Sequence, residues 1–335
     1  MTPDTLSNLL SSPFARQVGI EVPLVCGAMY PCSNPELVGA VSAAGGIGVI
    51  QPLTLTYVHG LNMRAAVRRI RDLAGGKPVG MNILLEGSSR VYRARIAAWM
   101  DVALEEGICF FVTALGDPRW VVERVTPSGG LVYHDVIGLR FARKALDGGV
   151  HGLIAVNERA GGHAGSRSAA QLAEELIGLG VPVLAAGGIG DAREFVAALR
   201  MGYAGVQMGT RFIATDECAA HADYKRAIVE AGEEDIVLTQ RVTGVPLAVI
   251  RTPEVERAGT HAGPIGRWML RGRRTKRWMR AWYAIRSARR LKRSVFRGDT
   301  SRDYWQAGKS VAGIRSVEPA GAIVRRFRDA GLSAG

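Results

Sequence analysis

Cysteine is scarce. The chain has four in 335 residues (Cys26, Cys32, Cys109 and Cys218), and no two stand in a CxxC arrangement. That spacing excludes a zinc framework or a disulfide scaffold and suits a reducing compartment, so a cytoplasmic protein is expected. No run of eighteen apolar residues occurs, and no transmembrane helix is expected. The opening MTPDTLSNLLSSPFARQVG carries an acid early and lacks a basic-then-apolar pattern, so no signal peptide is read there. Histidines and carboxylates nowhere cluster with metal-ligand spacing, and no metal is expected. No GxGxxG follows the first apolar run, and GGIG at 45–48 does not fit that spacing, which argues against a dinucleotide-binding Rossmann domain.

Acidic residues are missing from one long segment. Residues 267–297 contain 13 Arg or Lys and no Asp or Glu. The net charge is +13, so the rest of the chain is formally neutral, with 30 basic and 30 acidic residues. The basicity is local. No DNA- or RNA-binding motif accompanies it, and nucleic acid is not expected as a partner.

What is present is a rhythm. Short apolar runs recur at 23–26, 47–50, 79–84, 108–113, 131–134, 152–156, 181–186 and 204–208, with amphipathic stretches between them. Strands that are apolar throughout are buried on both faces, as in a parallel sheet flanked by helices. Eight strand–helix units predict an α/β fold, a (β/α)8 TIM barrel, with a helical subdomain added after the eighth strand. The expected division is a barrel of residues 1–216 and 298–335, and a strongly basic helical subdomain at 217–297.

In such a barrel the carboxyl ends of the strands face one cavity. Here they carry Cys26 to Met29, Asn82, Thr113 to Gly116, His134-Asp135, Asn157 to His163, Gly187-Gly188 and Gly209-Thr210. The set is rich in glycine and amides and poor in charge, which suits a planar ligand with a phosphate tail. Val181 to Phe212 reads strand, glycine turn, helix, strand, glycine turn, so two neighbouring strands end in a cup of backbone N–H groups. Turn chemistry alone would also select glycine there. The loop NERAGGHAG at 157–165 bears one histidine, His163, whose ordinary pKa near neutrality suits acid–base work. It could equally do no more than hydrogen-bond a phosphate or the backbone. Cys26 reads as a small packed residue.

The segments PLVCGAM, AVSAAGGIG, AGGHAG, PVLAAGGIGDAREFVAALRMGYAGVQMGTRF and YWQAGKSVAGI together resemble the nitronate monooxygenase family, over about residues 13–327. The wider flavin group includes FMN-type enoyl-acyl-carrier-protein reductases and NADH:quinone reductases. The resemblance implies non-covalent FMN. Gly187, Gly188, Gly209 and Thr210 would hold its phosphate, and Gly161 and Gly162 would also be cofactor-binding residues. Gly27, Ala28, Met29 and Asn82 would line the ring and ribityl chain. His163 would be catalytic, and Trp305, Gln306, Ala307 and Gly308 would close the site near the ring.

One departure stands out. Many relatives carry lysine after the fifth strand, whereas this chain reads VYHDV. An anion at Asp135 would not neutralise a reduced flavin and is expected to pair with His134 or a basic substrate group.

The reaction implied is oxidation of alkyl nitronates with reoxidation by dioxygen. The alternative keeps FMN but reduces it with NAD(P)H and passes a hydride to a quinone or an enoyl thioester. A third reading, outside flavin chemistry, is a phosphate-binding barrel or an anionic-partner scaffold. In the basic run, Trp278, Ala281, Trp282, Ile285, Ala288 and Phe296 share one helical arc that Arg289 and Lys292 interrupt. That arc is expected to dock on the barrel. The functional alternatives are an acidic acyl carrier or coenzyme A, then an anionic membrane surface. A homodimer is the assembly to be tested.

Overall fold

A computed structural model describes residues 9–85, 90–241, 246–260, 291–298 and 304–335. Eight short strands close into a parallel barrel in chain order: β1 (Leu24–Cys26), β2 (Ile47–Ile50), β3 (Val79–Leu84), β4 (Phe110–Ala114), β5 (Leu131–Val136), β6 (Gly152–Val156), β7 (Val183–Ala186) and β8 (Gly205–Met208). The ring closes where β1 pairs with β8, Val25 opposite Gln207. The TIM barrel expected from the eight apolar runs is therefore the fold, with strand bounds within two residues of those expected.

Alternation along each strand sends residues to two separate cores. Val25, Ile47, Val49, Phe110, Val112, Tyr133, Ile154 and Leu184 fill the barrel interior. The odd-numbered neighbours of Phe110 and the even-numbered neighbours of Tyr133 pack outward against helices. Helix Pro13–Val18, capped by the Ser12 side chain, plugs the amino-terminal mouth of the barrel. Its fully buried Phe14 sits with ring centroids 5.7 Å from Phe110 and 5.4 Å from Tyr133. Tyr133 donates from its hydroxyl to Gln17 Oε1 at 2.8 Å. Glycine at 152 is what seats this ring, because a Cβ there would lie 2.2 Å from it.

The chain leaves the barrel after β8 and returns at its end. Helix Ala320–Ala334 packs between helices Pro35–Ala43 and Ala192–Arg200, with Phe327 5.2 Å from Phe195. Between them, the segment at 217–297 is not wholly helical as expected. Helix Ala222–Glu230 is followed by an antiparallel ribbon of β9 (Ile236–Thr239) and β10 (Leu247–Ile250), Leu247 opposite Thr239. The four apolar residues of β10 are all buried, so no alternation marked it as a strand.

Trp278, Ala281, Trp282, Ile285, Ala288 and Arg289, with most of the basic run, lie outside the described residues. Its end, residues 291–297, is helical and docks on the barrel through buried Leu291, Ser294 and Val295. Phe296 packs edge-on against His59. Lys292 does not interrupt this docking, because its ammonium donates to the carbonyls of Tyr57 (3.1 Å) and Val58 (3.4 Å). No helix among the described residues is long and apolar enough to cross a membrane.

Candidate active site

The carboxyl-end mouth of the barrel is built from β7 and β8 outward. Beyond Ala186, Gly187 (φ +114°) and Gly188 (φ +77°) take backbone conformations that L side chains rarely adopt. A Cβ on Gly187 would lie 2.3 Å from Asn157 Oδ1, and one on Gly188 would lie 2.5 Å from Arg159 Nε. These glycines therefore let the 157–165 loop close onto β7, a packing demand that turn chemistry alone does not explain. Asn157 ties the same joint. It donates to the Gly187 carbonyl at 2.9 Å and accepts from the Arg159 N–H at 2.8 Å. The N–H groups of Gly187, Gly188, Gly209 and Thr210 donate to no acceptor among the described residues. Unpaired N–H groups on two neighbouring strand ends are what an anion would satisfy.

The AGGH loop is held from above. Ala248 of β10 donates to the Gly162 carbonyl at 2.8 Å, and Lys309 donates from its backbone to the Arg159 carbonyl at 2.9 Å. Gly161 and Gly308 touch backbone to backbone: a Cβ on Gly308 would lie 2.5 Å from the Gly161 nitrogen. The Gly308 N–H donates to Thr210 Oγ1 at 3.0 Å, which joins the end of β8 to the same knot. Arg159 adds an ion pair to Glu233 and a longer one to Glu194 (3.8 Å).

Met29 packs against Gly209, its Sδ 3.4 Å from where a Cβ would stand, and its N–H donates to Ser33 Oγ at 2.8 Å. Gly27 makes room for Gln207, whose Cγ would lie 3.0 Å from a Cβ on Gly27. Ala28 is half-buried beside the interior core, and Asn82 lies on the inward face of β3, two residues beyond Gly80, its amide unpaired among the described residues. So Gly27, Met29, Gly161, Gly162, Gly187, Gly188, Gly209, Thr210 and Gly308 converge on one rim.

Trp305 and Ala307 are placed differently from expectation. Both are buried, and Trp305 stacks on Tyr224 (5.3 Å between centroids, 14° between planes) and donates to the Ser294 carbonyl at 3.3 Å. The segment is extended, bridging to β10 at Val249–Gln306, so alternate side chains point opposite ways. Gln306 faces Gly162 instead, its Oε1 3.9 Å from where a Cβ would be.

His163 follows Gly162 and is exposed, with no hydrogen bond among the described residues. The protein around it still desolvates the ring enough to lower its pKa, so the imidazole is neutral and able to accept a proton near pH 7. His134 and Asp135 lie on opposite faces of β5, so of the two partners expected for Asp135, His134 or a basic substrate group, the structure rules out His134. His134 points outward, with Nδ1 2.8 Å from Thr113 Oγ1, and burial lowers its pKa to about 4. Asp135 points inward beside Gln207. Burial raises its carboxyl pKa to about 7, and the Gln207 amide offsets only part of that. Cys26 faces outward, fully buried, with its thiol pKa pushed up by burial.

Gln207 was not legible as a site residue, although it was the one polar residue in an otherwise apolar strand; Arg159 and Gln306 fall within stretches read as part of the site, but their partners were not legible. The barrel's filling ends with polar groups, and Asp135 Oδ1 and Gln207 Oε1 are buried without partners among the described residues. The unpaired N–H cup and these orphaned oxygens fit a cofactor that is anionic at one end and carries a planar, hydrogen-bonding ring.

The model of the nitronate monooxygenase family matches residues 11–327, nearly the whole chain. The chain belongs to this family. Its relatives include (3aS,4S,5R,7aS)-5-hydroxy-7a-methyl-1-oxo-octahydro-1H-indene-4-carboxyl-CoA dehydrogenase of Mycobacterium tuberculosis, 32% identical over 74% of this chain and 68% of the relative. A probable nitronate monooxygenase of Staphylococcus saprophyticus is 28% identical over 71% of this chain and 78% of the relative. Among solved structures, FabK from Thermotoga maritima superposes with a TM-score of 0.75 at 28% identity, over 95% of this chain and 96% of the other. Membership of the nitronate monooxygenase family makes the chain a flavin-dependent oxidoreductase.

Proposed function

We propose that the chain binds FMN non-covalently and oxidises alkyl nitronates, with dioxygen as the final electron acceptor. The observation that carries this reading is the glycine cup. Four backbone N–H groups at the ends of β7 and β8 lack partners among the described residues and lie under the clamped AGGH loop. The N–H groups of Gly187, Gly188, Gly209 and Thr210 would hold the phosphate. Gly27 to Met29 and Asn82 would line the ring and ribityl chain, while Gly161, Gly162 and Gly308 shape the rim. Bound FMN supplies a two-electron acceptor that dioxygen can reoxidise. His163, neutral and unpaired, would orient the substrate anion or take the α-proton from a neutral nitroalkane. Four free thiols, three of them buried, suit a cytoplasmic setting.

A second reading has its own support: a CoA-linked dehydrogenase among the relatives, and Asp135 at the position where the motif resemblance implies lysine. In it the substrate is a thioester on CoA or an acyl carrier, whose negative charges would meet the basic segment 267–297. The deciding measurement is flavin absorbance under nitrogen. Bleaching by a nitronate without NAD(P)H supports the first reading. Bleaching by NADH or NADPH with inert nitronates supports the second, and a protein that stays colourless with added FMN refutes both.

A further inference from the structure

Two oxygens in the floor of the cup have no partner. Asp135 of β5 and Gln207 of β8 both point into the barrel at its carboxyl end, and they meet across it. Asp135 Oδ1 and Gln207 Oε1 are each closed off from solvent, and neither accepts a hydrogen bond among the described residues. The Gln207 amide lies beside the carboxyl, and among the described residues no charged side chain does. The nearest titratable neighbour in sequence, His134, is on the outer face and bonded to Thr113. The interior below is hydrocarbon and aromatic: Val25, Phe110, Val112, Tyr133 and Leu184.

A carboxylate with no cation in such surroundings is costly, whereas a carboxylic acid is a hydrogen-bond donor. The space above is where the flavin reading puts a ring whose pyrimidine edge alternates carbonyl oxygens with an N–H. We propose that Asp135 is held as the neutral acid, oriented by Gln207, and that its O–H is a hydrogen-bond donor to the flavin ring, with Gln207 Oε1 left to accept the ring N–H. Asp135 is then a cofactor-positioning residue. Where the motif resemblance implies a cation that neutralises a reduced ring, this chain offers a neutral donor. Burial agrees, since it already brings the carboxyl to about 7, and a ring laid over it removes more water. The proposal rests on the flavin reading.

The test titrates apoprotein with FMN between pH 6 and pH 9, following quenching of flavin fluorescence, for wild type, Asp135→Asn and Asp135→Leu. Deprotonation turns a donor into a buried anion, so wild-type affinity should fall about tenfold or more across this range. Asn keeps a neutral donor. Asp135→Asn should bind within about threefold of wild type at pH 6 and lose the pH dependence. Asp135→Leu should bind about tenfold more weakly at every pH, because Gln207 stays and the donor goes. A flat wild-type profile, or a large loss in Asp135→Asn at pH 6, overturns the proposal, because it would show an ionised acceptor. A wild-type protein that binds no FMN at any pH overturns the flavin reading itself, and the assignment with it.

Discussion

Substituting Gly308 by alanine tests whether the C-terminal segment holds the cofactor cup together. The added methyl would stand 2.5 Å from the Gly161 nitrogen, 2.7 Å from the Arg159 carbonyl oxygen and 2.9 Å from the Ala160 carbonyl carbon. All three are backbone atoms, so no side-chain rotation relieves the overlap. Reaching an ordinary contact requires a separation of about 1 Å. Two hydrogen bonds cross this junction, Gly308 N–H to Thr210 Oγ1 at 3.0 Å and Lys309 N–H to the Arg159 carbonyl at 2.9 Å. At about 0.5–1.5 kcal/mol each, their loss amounts to about 1–3 kcal/mol. Expressed in the bound state, that weakens FMN binding roughly five- to 150-fold. The assay is fluorescence titration of apoprotein with FMN, with far-ultraviolet circular dichroism to show that the barrel persists. Gly129→Ala is the control: its φ is +75°, but a methyl there meets open space far from the mouth. It should cost about 1 kcal/mol of stability and leave FMN affinity unchanged. An FMN affinity within twofold of wild type in Gly308→Ala would refute the reasoning.

Other outcomes follow from the same structure. Phe14→Ala empties the plug at the fully buried ring stack with Phe110 and Tyr133 and should cost about 3–5 kcal/mol in urea unfolding; a cost below 1 kcal/mol would remove the helix from the barrel's core. His134 is neutral in the folded state down to about pH 4, whereas the unfolded side chain protonates near 6.5. The unfolded state therefore binds the extra proton between those values, and stability is lost as pH falls from about 6.5 to 4, by up to about 3 kcal/mol. His134→Gln should flatten that part of a pH–stability curve. His163→Gln should retain FMN, since no cup N–H depends on the imidazole, but lose about 10²- to 10⁴-fold in turnover of a neutral nitroalkane. Equal turnover by the variant would reassign the proton transfer to another group.

The parts of this molecule that were legible before the structure are those with local signatures. Apolar runs marked the barrel strands, and glycines marked the turns after β7 and β8, because burial on both faces and, at Gly187 and Gly188, positive φ leave traces in composition. Orientation was less legible. In strands apolar on both faces, nothing local distinguishes inward from outward, so His134 and Asp135 were grouped although one residue's shift sends them to opposite sides of β5. The same two-residue repeat sends Trp305 against Tyr224 and Gln306 toward Gly162. The plug helix at 13–18 is too short for a periodic signal, and the β9–β10 ribbon has one strand buried throughout and one half-exposed. Both are decided by long-range packing. The pairing of Arg159 was hidden for a related reason: its partner Glu233 is brought near only by the excursion between β8 and the last helix.

The contact between Gly161 and Gly308 has a consequence for biosynthesis. Every strand of the barrel, and the plug beneath it, is translated before residue 210, but the segment that pins the AGGH loop arrives almost a hundred residues later. All eight strands are thus present while the cup still lacks its pin. Cofactor retention then belongs to the last stage of maturation, since a product clipped before Gly308 would lose both that contact and the last helix with its buried Ile323, Val324 and Phe327. In a purified preparation, the ratio of yellow absorbance to protein absorbance would measure how many molecules kept their C-terminal segment.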